Sequence, residues 1–122
     1  MQIEVGRLVS PDFVQALRNL SAISFPTLNE NLALARLMRN VQEAGLAFEK
    51  MRKAMVEKYG EPQLDGSVKI GAQRMLELRP ELVKLENELI DLPDVRFKMP
   101  TGANLCARDL FVLEPFLDLG AP

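Results

Sequence analysis

The chain contains no histidine. That removes histidine-based triads, histidine-ligated zinc and imidazole acid–base catalysis in one step. Its single cysteine, Cys106, has no second thiol with which to form an internal disulfide, a metal site or an activated pair; it reads as a small buried hydrophobe. The seven glycines are scattered as turn residues. They form neither a phosphate-cradling P-loop nor the Gly-x-Gly-x-x-Gly turn of a dinucleotide site. A reaction run by this chain would have to use carboxylates, Lys, Arg, Tyr59 or a hydroxyl, and no pattern marks any of them. The expectation is therefore no enzyme, with no catalytic residue, metal or cofactor assigned.

A strong charge of one sign is also missing. Lys and Arg number 15 against 17 Asp and Glu, giving a net charge of −2 and a pI near 5.2. That balance argues against affinity built on neutralising phosphates, and hence against nucleic acid as a partner. No apolar run approaches the roughly 20 residues that span a bilayer. The start, Met1-Gln2-Ile3-Glu4, lacks the basic and apolar stretches of a signal peptide. The expected address is the cytoplasm, without a membrane partner.

Apolar residues make up 48% of the 122, enough to bury a real core, so one domain over 1–122 is expected. The pattern predicts an α+β, helix-dominated fold. Ile3 and Val5 alternate with polar neighbours over 2–5, which reads as a short strand. Ser10-Pro11-Asp12 starts a short helix, with Ser10 as cap, Pro11 at the first position and Asp12 on the dipole. Phe25-Pro26 breaks the chain. A long helix then runs over about 28–59, its seam formed by Leu34, Met38, Val41, Gly45, Phe48, Arg52, Met55 and Tyr59. Gly60 is its cap. Gly45 inside it costs about 1 kcal/mol against Ala; close helix packing is the plain reading and a binding notch the sharper one. A second helix is expected over about 73–92, with Met75, Leu78, Leu82, Leu85, Leu89 and Leu92 stepping by three and four. Pro80 either kinks it or starts it. The two should form a long antiparallel hairpin.

Between them, Asp65-Gly66 signals a turn beside a small hairpin or strand over 67–70. Val95, Phe97 and Met99 alternate over 95–99, a strand expected to pair with the N-terminal one. Pro100-Thr101-Gly102 turns away, and a final short helix runs from Asn104 or Ala107 towards Glu114, with Leu110 and Leu113 inward.

The residues able to carry binding are Phe48, Arg52 and Tyr59 on the long helix, and Arg96 and Lys98 on the polar side of the last strand. Phe111, Phe116 and Leu117 join them as an apolar C-terminal anchor, against the plainer reading that the segment docks back on the hairpin. For the basic residues of the long helix the plain reading is a solvated, ion-paired face. For Arg96 and Lys98 it is charge protecting a strand edge. Glu81, Glu86, Glu88 and Asp91 crowd the second hairpin helix without the cleft a carboxylate pair needs.

Phe48-Glu49-Lys50-Met51-Arg52, then Glu57-Lys58-Tyr59-Gly60-Glu61 and Asp65-Gly66, precede a Leu/Glu helix, and Asp109-Leu110 leads to Leu113-Glu114-Pro115-Phe116. Over about the last two-thirds of the chain this order resembles a family of small bacteriophage and prophage proteins. The resemblance brings no catalytic residues. It implies an accessory protein acting in the cytoplasm of an infected bacterium. The expected function is a protein-binding factor with a host or phage protein as partner, either an inhibitor of host defence or a helper of virion assembly. The alternative is an oligomer that sequesters a nucleotide signal between subunits, using Arg52 with Phe48 or Tyr59.

Overall fold

A computed structural model describes residues 1–100 and 105–118. Strand β1 (Gln2–Glu4) runs straight into a single helical turn, α1 (Val5–Leu8). Helix α2 (Pro11–Ser21) follows, with Ser10 Oγ accepting from the Phe13 N–H at 3.3 Å and Pro11 in the first turn. Phe13, Ala16, Leu17 and Leu20 form its buried stripe.

The long helix α3 (Leu28–Tyr59) is closed at its start by a capping box. Thr27 Oγ1 accepts from the Glu30 N–H at 3.1 Å and donates to Glu30 Oε1 at 2.9 Å. Asn31 fixes the preceding break: its amide donates to the Phe25 and Thr27 carbonyls and its oxygen accepts from the Phe25 N–H. At the far end Gly60 is the cap, with φ −103° and ψ 166°. Its conformation is open to any residue; space is what demands glycine. A Cβ there would overlap Val68 Cγ1 and lie 2.9 Å from the Val56 carbonyl oxygen.

Strands β2 (Glu61–Pro62) and β3 (Val68–Lys69) make a small antiparallel hairpin turned by Asp65 and by Gly66, whose φ of +86° suits glycine. Helix α4 (Ala72–Glu86) returns along α3. Leu85 of α4 packs with Phe48, and Met55 shares a hollow with Pro80 and Glu81, so the two helices run antiparallel. Pro80 lies within a continuous α4, exposed at the hollow it shares with Met51 and Met55.

Two expected features take another form. The second hairpin helix stops at Glu86, not near 92, and Leu89–Asp91 form strand β4. Pro93 bars its predecessor from the helical region, and Ile90 and Leu92 turn inward while Leu89 and Asp91 face out, a period of two. The N-terminal strand consequently pairs with β4, antiparallel, with Ile3 opposite Ile90. Strand β5 (Phe97–Lys98) instead pairs in parallel with β6 (Leu117–Asp118). Helix α5 (Ala107–Val112) and a 3-10 turn (Glu114–Phe116) lead into β6. Cys106 is exposed at the start of α5, because the buried face of this short helix is taken by Asp109 and Leu110 with Leu113 just beyond. Beyond Pro100, the turn read at Pro100-Thr101-Gly102 and the alternative helix start at Asn104 lie outside the described residues.

The main core collects α2, the first half of α3, β5 and the C-terminal segment. Phe13 meets Phe116 edge-on at 5.9 Å, and Phe25 meets Phe97 at 5.4 Å. A smaller cluster of Val5, Phe48 and Leu85 ties α1 to both long helices. From Glu49 to Glu77 no residue is buried. The last eleven residues of α3, about 16 Å of helix, therefore form an arm with the first half of α4, carrying the β2–β3 hairpin at its tip.

Candidate functional site

Helix α2 buries only the stripe centred on Leu17, and Val14 stands on its flank, 39% exposed. Helix α3 presents Met38, Val41 and Gly45 towards that flank, and α1 closes one end with Leu8 and Val9. The result is an open groove of about 740 Å³. Its α3 wall runs from Ala35 to Glu49, about 21 Å at helical rise. The floor is apolar, and Arg18, Arg39, Gln42 and Glu49 stand exposed on the rim.

Gly45 shapes the groove. A Cβ at this position would meet only Val9 Cγ1, at 3.9 Å, an ordinary contact. Close packing is thus not what keeps glycine here. A longer side chain would grow into the groove.

The rim charges differ in their commitments. Arg39 Nε lies 3.3 Å from Glu43 Oε1. Glu49 accepts from the Arg52 guanidinium, which holds the Glu49 carboxyl below its ordinary pKa and raises that of Arg52. Arg18 makes no ion pair among the described residues.

The binding residues expected from sequence are scattered. Phe48 is buried against Val5 and Leu85 and reaches only one end of the groove. Arg52 is exposed and tied to Glu49. Tyr59 lies half-buried at the end of α3, with the Lys58 ammonium 5.4 Å from its ring centre. Phe48 and Tyr59 are separated by about 16 Å of helix, so the two rings do not share one pocket within the chain. Arg96 and Lys98 face solvent beside buried Phe97. Phe111 is 75% exposed, whereas Phe116 and Leu117 lie in the main core and cannot act as an exposed anchor. Of the expected anchor, Phe111 alone is accessible.

A second hollow, about 460 Å³, lies between the outer part of α3 and the second half of α4, with Met51, Met55, Pro80 and Leu85 inside and Glu81, Lys84 and Glu88 around it. No group of three metal-ligating side chains occurs among the described residues. Asp109 is the one buried charged side chain there. Its Oδ2 accepts from Asn19 Nδ2 at 2.7 Å, and its Oδ1 has no partner.

Sequence reasoning missed Val14, Arg18 and Gln42. The available signals were Val14, an apolar residue off the buried stripe of α2, and a glycine in mid-helix. The groove itself depends on the angle between α2 and α3, which no local pattern encodes. No family model, curated protein or solved structure matches the chain.

Proposed function

We propose that this chain is a non-enzymatic protein-binding factor that receives an apolar segment of a partner protein in the groove between α2 and α3. The groove carries the reading. It offers an accessible apolar floor, a glycine where most helices carry a side chain, and a polar rim. Buried-core-and-rim construction of this kind suits protein recognition, and a groove about 21 Å long fits an apolar helix face. In this reading, which takes up the resemblance to phage and prophage proteins, the chain acts in the cytoplasm of an infected bacterium on a host-defence or virion-assembly protein.

Native mass spectrometry of the tagged chain drawn gently from bacterial lysate tests this, with Gly45→Leu alongside. Circular dichroism confirms that the variant folds. A stoichiometric protein partner held by the wild type and lost by Gly45→Leu is the expected result. A homo-oligomer carrying a small nucleotide-sized ligand in place of a protein would overturn it in favour of a ligand-sequestering role.

A further inference from the structure

Helix α4 is apolar on two sides. Its inner stripe of Met75, Leu78, Leu82 and Leu85 faces α3, with Leu78 and Leu85 buried. Ala72, Leu76 and Val83 recur at steps of four and seven on another side of the helix, and all are exposed. Leu76 is 71% and Val83 53% accessible. An isolated surface leucine needs no explanation, but a stripe along a whole helix does.

The charges beside this stripe say what covers it. Arg79 and Glu86 are seven residues apart and so share one flank. Residues three and four away from either are apolar, which leaves each without a helical ion-pair neighbour. Neither forms a salt bridge to any described residue. By contrast, Arg74 already lies 3.9 Å from Glu77. In an antiparallel pair of identical helices about a twofold axis, like flanks face each other. An axis passing between Leu82 and Val83 sets Arg79 opposite Glu86 of the second copy, and Glu86 opposite its Arg79. The same axis puts Val83 beside its own counterpart.

We infer that the outer face of α4 is a self-association surface, on which two copies of the chain pair antiparallel through Leu76 and Val83 with two reciprocal Arg79–Glu86 ion pairs. The groove is lined by α1, α2, α3 and their flanks, without α4, so a dimer of this kind presents two grooves. The contact is smaller than the standard interface of about 1,200–2,000 Å². The dimer is accordingly a concentration-dependent one, with dissociation in the micromolar range.

Sedimentation equilibrium from about 1 µM to about 1 mM tests the inference on the full chain. The wild type should pass from monomer to dimer. Arg79→Glu or Glu86→Arg alone creates two like-charge pairs and should weaken the dimer about tenfold. The two together should restore it to within about threefold. In a Cys106→Ser background, Val83→Cys should oxidise to a disulfide-linked dimer far faster than Glu57→Cys on the arm. Circular dichroism melts keep misfolding apart from loss of pairing. A chain that stays monomeric throughout, a dimer indifferent to both single charge reversals, or equal cross-linking at the two cysteines would each overturn it.

Discussion

Two glycines of the same helix, Gly45 and Gly60, should respond to alanine with opposite signs. At Gly45 a methyl group meets only Val9 Cγ1 at 3.9 Å. The helix then gains the propensity difference, about 1 kcal/mol, part of it through a less flexible unfolded chain. With a urea m-value of about 2 kcal/mol/M, the unfolding midpoint should rise by about 0.5 M. At Gly60 the backbone is extended, so no helical propensity is recovered. The methyl group would press on Val68 and sit 2.9 Å from the Val56 carbonyl oxygen, an overpacking cost of about 1–3 kcal/mol. Because Val68 belongs to the exposed hairpin, the strain should appear there first. The Gln63 N–H, bonded to the Ser67 carbonyl oxygen at 2.7 Å, should lose protection from hydrogen exchange. Urea titrations by circular dichroism, with amide exchange at the tip, read both effects. A Gly45→Ala variant less stable than wild type would refute the reasoning, since α3 would then be packed too tightly at Gly45 to leave a groove.

Other expected outcomes follow from the same structure. Phe116→Ala removes a fully buried ring that meets Phe13 edge-on and should cost about 3–5 kcal/mol, whereas Phe111→Ala should stay within about 0.5 kcal/mol; equal losses in chemical denaturation would show that the C-terminal segment is wrongly placed. Asp109→Ala should cost about 1–3 kcal/mol in thermal melts, because it removes the oxygen that accepts from Asn19 Nδ2 at 2.7 Å and leaves that donor unpaired. The Asp65 carboxylate accepts from the Ser67 hydroxyl and N–H, which lowers its pKa. Its contribution to the tip is therefore complete above the ordinary aspartate value of about 3.9 and is lost as pH falls through the lower folded-state value. The Ser67 amide followed by NMR should titrate below that ordinary value, and a midpoint at or above it would contradict the turn geometry.

How much was legible in the sequence depended on how local each determinant is. Helix α3 was readable from the Phe25-Pro26 break before it and from Tyr59 with Gly60 at its end, while the Thr27–Glu30 capping box that closes its start went unread. The start of α2 was equally plain in Ser10-Pro11-Asp12. The end of α4 was not. Leu85, Leu89 and Leu92 continue a heptad step, and only the pairing of Ile3 with Ile90 decides that the chain turns to strand. Val95–Met99 alternates well, yet its partner is Leu117–Asp118, a long-range choice that pattern does not fix. Gly45 carried a legible hint, but packing and groove give one sequence signal. The distance to Val9 separates them. Phe116 and Leu117 illustrate the same limit: apolar residues near the chain's end read equally as anchor or as core, and burial decides for core.

The central claim is that the groove between α2 and α3 holds a partner protein. Site-specific photo-crosslinking in cells that make the chain tests it most directly, with the reactive side chain at Val14 or Gln42 on the groove and at Lys53 or Glu57 on the arm. The account predicts one discrete heteromeric adduct from Val14 and Gln42 and none of that mass from the arm positions. Adducts from the arm alone, with the groove positions silent, would contradict it.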